Sequence, residues 1–218
     1  MKKIISTLVL SYFVLAVFSQ QDPEAKMILD RVAEKSKSYT TIQADLTILI
    51  ENRIEDWETE TKGSIIIKGK KYYMETGTDK YYFNGKTVWS YNTADNEVVI
   101  TANDPDNESF AENPALVFQF YNRDFKYKYV KETKYAGRAM HEIDLFPKDL
   151  NQPYSRIKIM IDKQTENLSM VTAVSKEGID FSAIITNMQV NKAVEDSKFE
   201  FNPDKIKGIE VIDMRSLD

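Results

Sequence analysis

From Ile42 to Ile50 the side chains alternate: Ile42, Ala44, Leu46, Ile48 and Ile50 share one parity, and Gln43, Asp45 and Thr47 share the other. A period of two is the signature of a strand with one buried and one wet face. Comparable runs recur at 57–68, 71–76, 80–83, 87–91, 97–101, 125–132, 138–146, 154–161, 168–175 and 179–190, which predicts about 11 strands.

The joints between these runs are short. Asn84 and Gly85 are expected to supply the positive φ angles of a tight hairpin turn, and Gly69, Gly77, Gly137 and Gly178 punctuate other joints. Consecutive strands joined this way must run antiparallel, so the pattern predicts one up-and-down meander with a polar face. A single twisted sheet of that size curls, and its concave apolar face must be covered.

Two covers are legible. A helix is expected over 23–38, with Asp22 as cap, Pro23 in the first turn and Ala25, Ile28, Leu29, Val32 and Ala33 at helical spacing. A second, short central helix is expected from Pro114 to about Tyr121, where Leu116, Val117, Phe118 and Phe120 are too apolar for a surface loop. The alternation then nominates a lining for the concave face: Ile42, Ala44, Leu46, Ile48, Ile50, Ile65, Ile67, Tyr72, Met74, Trp89, Leu116, Val117, Phe118 and Phe120. The fold class is α+β, mainly β. Apolar alternation also describes any half-buried sheet; a surplus of aromatic side chains over a single sheet with two covers favours a cavity.

Residues 1–19 read as a cleavable export signal: Lys2 and Lys3, an apolar run from Ile4 to Phe18, and no basic cluster after it. Residues 20–218 are expected to form one domain. The sequence contains no cysteine, which excludes disulfides, thiolate metal sites and a lipidated cysteine anchor. Without the signal, 27 basic residues stand against 34 acidic ones, a net charge of −7, which disfavours nucleic acid and anionic lipid surfaces as electrostatic partners.

Catalytic chemistry has little support. His141 is the single histidine, with no serine or cysteine arrangement pointing to it, and there is no nucleophile elbow or phosphate-cradling glycine loop. Asp104, Asp106, Asn107 and Glu108 lack the glycine and distal glutamate of a calcium loop. Phe125, Tyr127 and Tyr129 alternate with Lys126, Lys128 and Lys131, which fits a strand with snorkelling lysines better than a nucleic-acid stacking face. We expect no enzyme, no cofactor and no metal.

The export signal, the opening amphipathic helix, the run Asn84, Gly85, Lys86, Thr87, Val88, Trp89 ahead of Tyr91 and Asn92, and the helix led by Pro114 resemble the periplasmic lipoprotein carrier protein family, LolA. Phe199, Phe201, Asn202 and Pro203, followed by Gly208, Ile209, Glu210, Val211, Ile212, Asp213 and Arg215, resemble the ending of that family more closely still. The resemblance implies a single curled antiparallel sheet forming an incomplete half-barrel, covered by the N-terminal helix and the short central helix. Its hydrophobic cavity would hold acyl chains of lipoproteins in the periplasm. The implied partners are acylated lipoproteins, an inner-membrane ABC lipoprotein-release complex and an outer-membrane acceptor where one exists.

One departure is visible. Characterised carriers follow the glycine-containing second strand with arginine and proline, and the arginine influences hand-off; this chain has Gly69 and Lys70 there. Lys70 is therefore the candidate transfer-related charge, without the planar guanidinium. An alternative within the same half-barrel fold is a periplasmic lipid-binding sensor or regulatory protein. Related sensors carry extra domains and none is expected after Asp218, which favours the carrier.

Overall fold

The computed structural model describes residues 22–103 and 125–215. Helix α1 (Pro23–Lys37) starts where the sequence signals place it: Asp22 Oδ1 accepts from the backbone N–H of Glu24 at 2.9 Å and of Ala25 at 3.1 Å, and Ser38 closes the last turn. Ala25, Ile28 and Leu29 are its buried residues.

The chain then builds β1 (Ile42–Asn52), β2 (Trp57–Lys68), β3 (Lys71–Thr76), β4 (Asp79–Phe83), β5 (Thr87–Asn92) and β6 (Glu97–Ala102). After residue 124 it builds β7 (Phe125–Tyr135), β8 (Arg138–Pro147), β9 (Tyr154–Asp162), β10 (Leu168–Ser175) and β11 (Ile179–Val190). A final strand, β12 (Glu210–Asp213), follows two short 3₁₀ turns.

All twelve strands belong to one sheet in the order β12-β6-β5-β4-β3-β2-β1-β11-β10-β9-β8-β7. This corrects the expectation of one continuous meander. Two hairpin-linked ladders are joined where β1 pairs antiparallel with β11, from Ile42 opposite Val190 to Asn52 opposite Ile179. The twelfth strand is also new, and it runs parallel to β6, with Glu210 opposite Glu97 and Asp213 opposite Ile100. Four residues are too few for an alternation signal, and a parallel partner cannot be read from a turn.

The hairpin at Asn84–Gly85 differs in detail as well. Only Gly85 has a positive φ, of 96°; Asn84 contributes through its side-chain oxygen, which accepts from the N–H of Lys86 and Thr87, both at 3.0 Å. Between β7 and β8 both turn residues are left-handed, Ala136 at φ 48° and Gly137 at φ 78°, the pattern that favours Asn-Gly.

A close backbone approach occurs at Gly63, which sits in β2 opposite Leu46 of β1 and Thr76 of β3. A Cβ there would lie 2.3 Å from the Glu75 carbonyl oxygen and 2.9 Å from Thr76 Cγ2. Only hydrogen lets β3 fold in this closely.

The expected central helix at 114–121 and the acidic run Asp104, Asp106, Asn107 and Glu108 lie outside the described residues, as does the export signal.

Two stability measurements follow. Ala136→Asn should stabilise the protein by about 0.5–1 kcal/mol in urea unfolding, by removing a strained left-handed alanine. Gly63→Ala should destabilise it by about 2 kcal/mol or more, because the Glu75 backbone cannot yield as a flexible side chain would.

Candidate functional site

Strand register decides which side chains share the concave face. Ile42 opposes Ile67, which opposes Tyr72, which opposes Phe83. One row away, Ala44, Ile65, Met74 and Tyr81 form the parallel series. Across the joint, Leu46 opposes Ile185 and Ile48 opposes Ala183, and the face continues through Val171, Ile159, Ile143 and Tyr129. Ala25, Ile28 and Leu29 of α1 belong to the same buried cluster, so the helix lies against this face.

The predicted lining is largely brought together. Ile42, Ala44, Leu46, Ile65, Ile67 and Tyr72 are buried in that cluster, while Ile48 and Met74 pack against it half-buried. Ile50 is half-buried and stands opposite Phe181, a phenylalanine that remains 51% exposed near the end of the sheet remote from α1.

Trp89 does not join them. It opposes Tyr82, which opposes Tyr73, and this series lies on the convex face. The alternation of the segment is correct, but its phase relative to β1 depends on the lengths of four turns. Leu116, Val117, Phe118 and Phe120 lie outside the described residues.

Alternation in the sequence nominates lining residues only from the first ladder and from 116–120. The structure adds Tyr81 and Val88 there, and Tyr127, Ile143, Leu145, Ile157, Ile159, Val171 and Ile185 from the second ladder. Their signal was present, as in the alternation Ile157, Ile159, Ile161; what the sequence did not say was that β11 returns to β1.

At the end of the face where β1 begins, a cavity of about 410 Å³ opens between the last turns of α1, the segment entering β1 and the β2–β3 hairpin. Ala33, Ser36, Lys37, Tyr39, Thr40, Thr41, Ile42, Ile67, Gly69 and Lys70 line it. Two predicted lining residues and Lys70 thus meet at one place.

The electrostatics of the face are those of an apolar surface. Burial pushes the Tyr81 hydroxyl pKa up, with the nearby Asp79 charge adding to it. His141 is held below its ordinary value, first by burial and then by the charge of Lys163, and its Nδ1 lies 3.4 Å from the Tyr129 hydroxyl. No group of three metal-ligating acidic, histidine or cysteine side chains occurs among the described residues. No described helix is long and apolar enough to cross a membrane.

The convex face is not uniformly polar. The segment after β11 crosses it and buries Phe199 completely, while Phe201 sits 5.2 Å from the Tyr82 ring and 5.0 Å from the Tyr91 ring. Lys198 Nζ lies 3.6 Å over the Tyr73 ring. Asp196 ties this strap to the β2–β3 hairpin through Lys68 Nζ at 2.8 Å and Lys71 Nζ at 2.7 Å.

An open sheet, antiparallel except for β12, with an apolar concave face backed by a helix defines a half-barrel protein. The family model for the outer membrane lipoprotein carrier protein LolA matches residues 55–202, and the chain belongs to that family. The fold is similar to that of an uncharacterized conserved protein from Thermus thermophilus, at 16% identity and TM-score 0.58, over 87% of this chain and 99% of that one. Lesser similarity is found to a LolA superfamily protein from Nitrosomonas europaea, at 10% identity and TM-score 0.45, over 84% and 99% of the two chains. The MucA/MucB complex of Pseudomonas aeruginosa contains a match at 11% identity and TM-score 0.40, over 82% of this chain and 61% of that one. No curated protein matches the chain in sequence.

The strap predicts a pH effect. Hydrogen bonds from Lys68 and Lys71 lower the Asp196 carboxyl from an ordinary 3.8 to about 2. A depressed carboxyl contributes stability in full above its unfolded value and loses it as pH falls through the folded one. The melting temperatures of wild type and Asp196→Asn should therefore differ above pH 4 and converge towards pH 2.

Proposed function

We propose that the protein is a periplasmic chaperone that takes the acyl chains of lipoproteins onto its concave face and carries them from the inner to the outer membrane. The observation that carries this reading is the match to the carrier family over 55–202, a span that contains β2 to β11 and so most of the concave face. The export signal read at residues 1–19 supports the compartment. The partners in this reading are acylated lipoproteins, an inner-membrane ABC complex that releases them and an outer-membrane acceptor where one exists. The protein acts as a carrier and not as an enzyme.

The physical chemistry of the face suits the task. Enclosing acyl chain is worth about 0.8 kcal/mol per methylene, so a sixteen-carbon chain wholly enclosed would gain on the order of 12 kcal/mol. A carrier must hold less tightly than that in order to release. Half-buried Ile48, Met74, Tyr81, Val88 and Val171 offer apolar surface already partly covered by neighbours, which reduces the net gain on loading.

Ile48→Glu places a charge on this face at a half-buried position. The variant should keep the wild-type circular dichroism spectrum and lose at least tenfold in recovery of an acylated model lipoprotein, measured by native mass spectrometry after co-expression. Wild type should recover the acylated form and not its non-acylatable counterpart. Equal recovery of both forms would refute the carrier reading, and a protein holding only free lipid would replace it with a lipid-binding sensor.

A further inference from the structure

We infer that the cavity at the α1 end of the concave face selects acyl-chain ligands whose polar head is anionic. This rests on the reading of the concave face as an acyl-chain site and adds the head-group class to it. The cavity is about 410 Å³, with Ala33, Ile42 and Ile67 as apolar lining and Lys37 and Lys70 as its charged residues.

The lysines of this corner divide into two sets. In the β2–β3 hairpin, Lys68 and Lys71 both bind Asp196 of the convex strap. Lys70, at the turn between them, lines the cavity and makes no ion pair with a carboxylate among the described residues. On α1, Lys35 donates to the Thr165 carbonyl, whereas Lys37 lines the cavity and likewise has no carboxylate partner among the described residues.

Two of the hydroxyls of the cavity are engaged elsewhere. Thr40 donates to Asn191 Oδ1 at 3.1 Å from its hydroxyl, and Thr41 donates to the Lys192 carbonyl at 2.7 Å. The ammonium groups can only donate, so the complementary ligand group is an acceptor, best an anion. An apolar wall beside two uncompensated cations, on a chain of net charge −5, is a local arrangement for an anionic amphiphile. Lys37 also complements the C-terminal dipole of α1, so Lys70 is the cleaner probe.

Hexadecyl phosphate, hexadecanol and inorganic phosphate separate chain from head. The wild-type protein should bind hexadecyl phosphate about three- to tenfold more tightly than hexadecanol at low salt, as two exposed charge contacts permit. That advantage should shrink in 0.5 M salt, shrink in Lys70→Gln and vanish in the Lys37→Gln/Lys70→Gln protein, with hexadecanol affinity unchanged throughout. Equal affinity of the two amphiphiles in wild type would overturn the inference and leave the acyl-chain site standing. An advantage that survives in the double variant would overturn the assignment to these lysines, and inorganic phosphate binding as tightly as hexadecyl phosphate would overturn the role of the chain. Binding of neither amphiphile would remove the acyl-chain reading itself.

Discussion

The pairing of β1 with β11 is the contact on which the rest of the molecule depends. Each ladder forms from neighbours in sequence, with short loops and little entropy to overcome in closing them. The β1–β11 seam instead joins Ile42 to Val190, a non-local contact that must be made against the entropy of the intervening chain. Once made, it merges two half-exposed ladders into one surface, and the inner side chains of both enter a single cluster with α1. A ladder alone would have no second wall for its apolar face.

An open half-barrel keeps two edges, and each is treated differently. On β7, the backbone N–H of Tyr129 donates to Asp22 Oδ2 at 3.0 Å, and a register irregularity between Tyr129 and Lys131 interrupts the ladder. Exposed lysines at 126, 128, 131 and 134 complete the protection. The same Asp22 carboxylate caps α1; burial acts to raise its pKa, but the N–H bonds from Ala25, Tyr129 and Glu24 outweigh this and leave it lowered. On the other side β12 covers β6. Glu51, Arg53, Glu55 and Asp56 sit at the β1–β2 joint inside the sheet order and protect no edge; Arg53 pairs there with Asp180 at 2.9 Å.

The C-terminal strap gives the sheet a second apolar layer. Phe199, Phe201 and the tyrosines at 73, 82 and 91 form it on the convex side of β3–β5, with Val98 and Ile100 of β6 buried on the same face. This explains why the first ladder is rich in aromatic residues on both parities. The concave parity serves the candidate site and the convex parity serves the strap, so the aromatic surplus read as evidence for a cavity has two separate uses.

Alternation, turn residues and the cap at Asp22 determined nearly all the elements by themselves, because a strand's period and a helix's first turn depend only on residues within a few positions of each other. The same local pattern placed Ile42, Ala44, Leu46, Ile65, Ile67, Tyr72 and Met74 on one face, since those strands are joined by short turns that carry the phase forward. Tertiary structure alone decided that Trp89 faces away, that Ile143, Ile157, Ile159 and Val171 share the site, that β12 lies parallel on β6, and that Lys70 lines a cavity while Lys68 and Lys71 do not. The phase of Trp89 depends on the summed lengths of the turns between β1 and β5; the others are relations between segments remote in sequence, set by the β1–β11 seam and by the path of the strap, and no short-range periodicity encodes them.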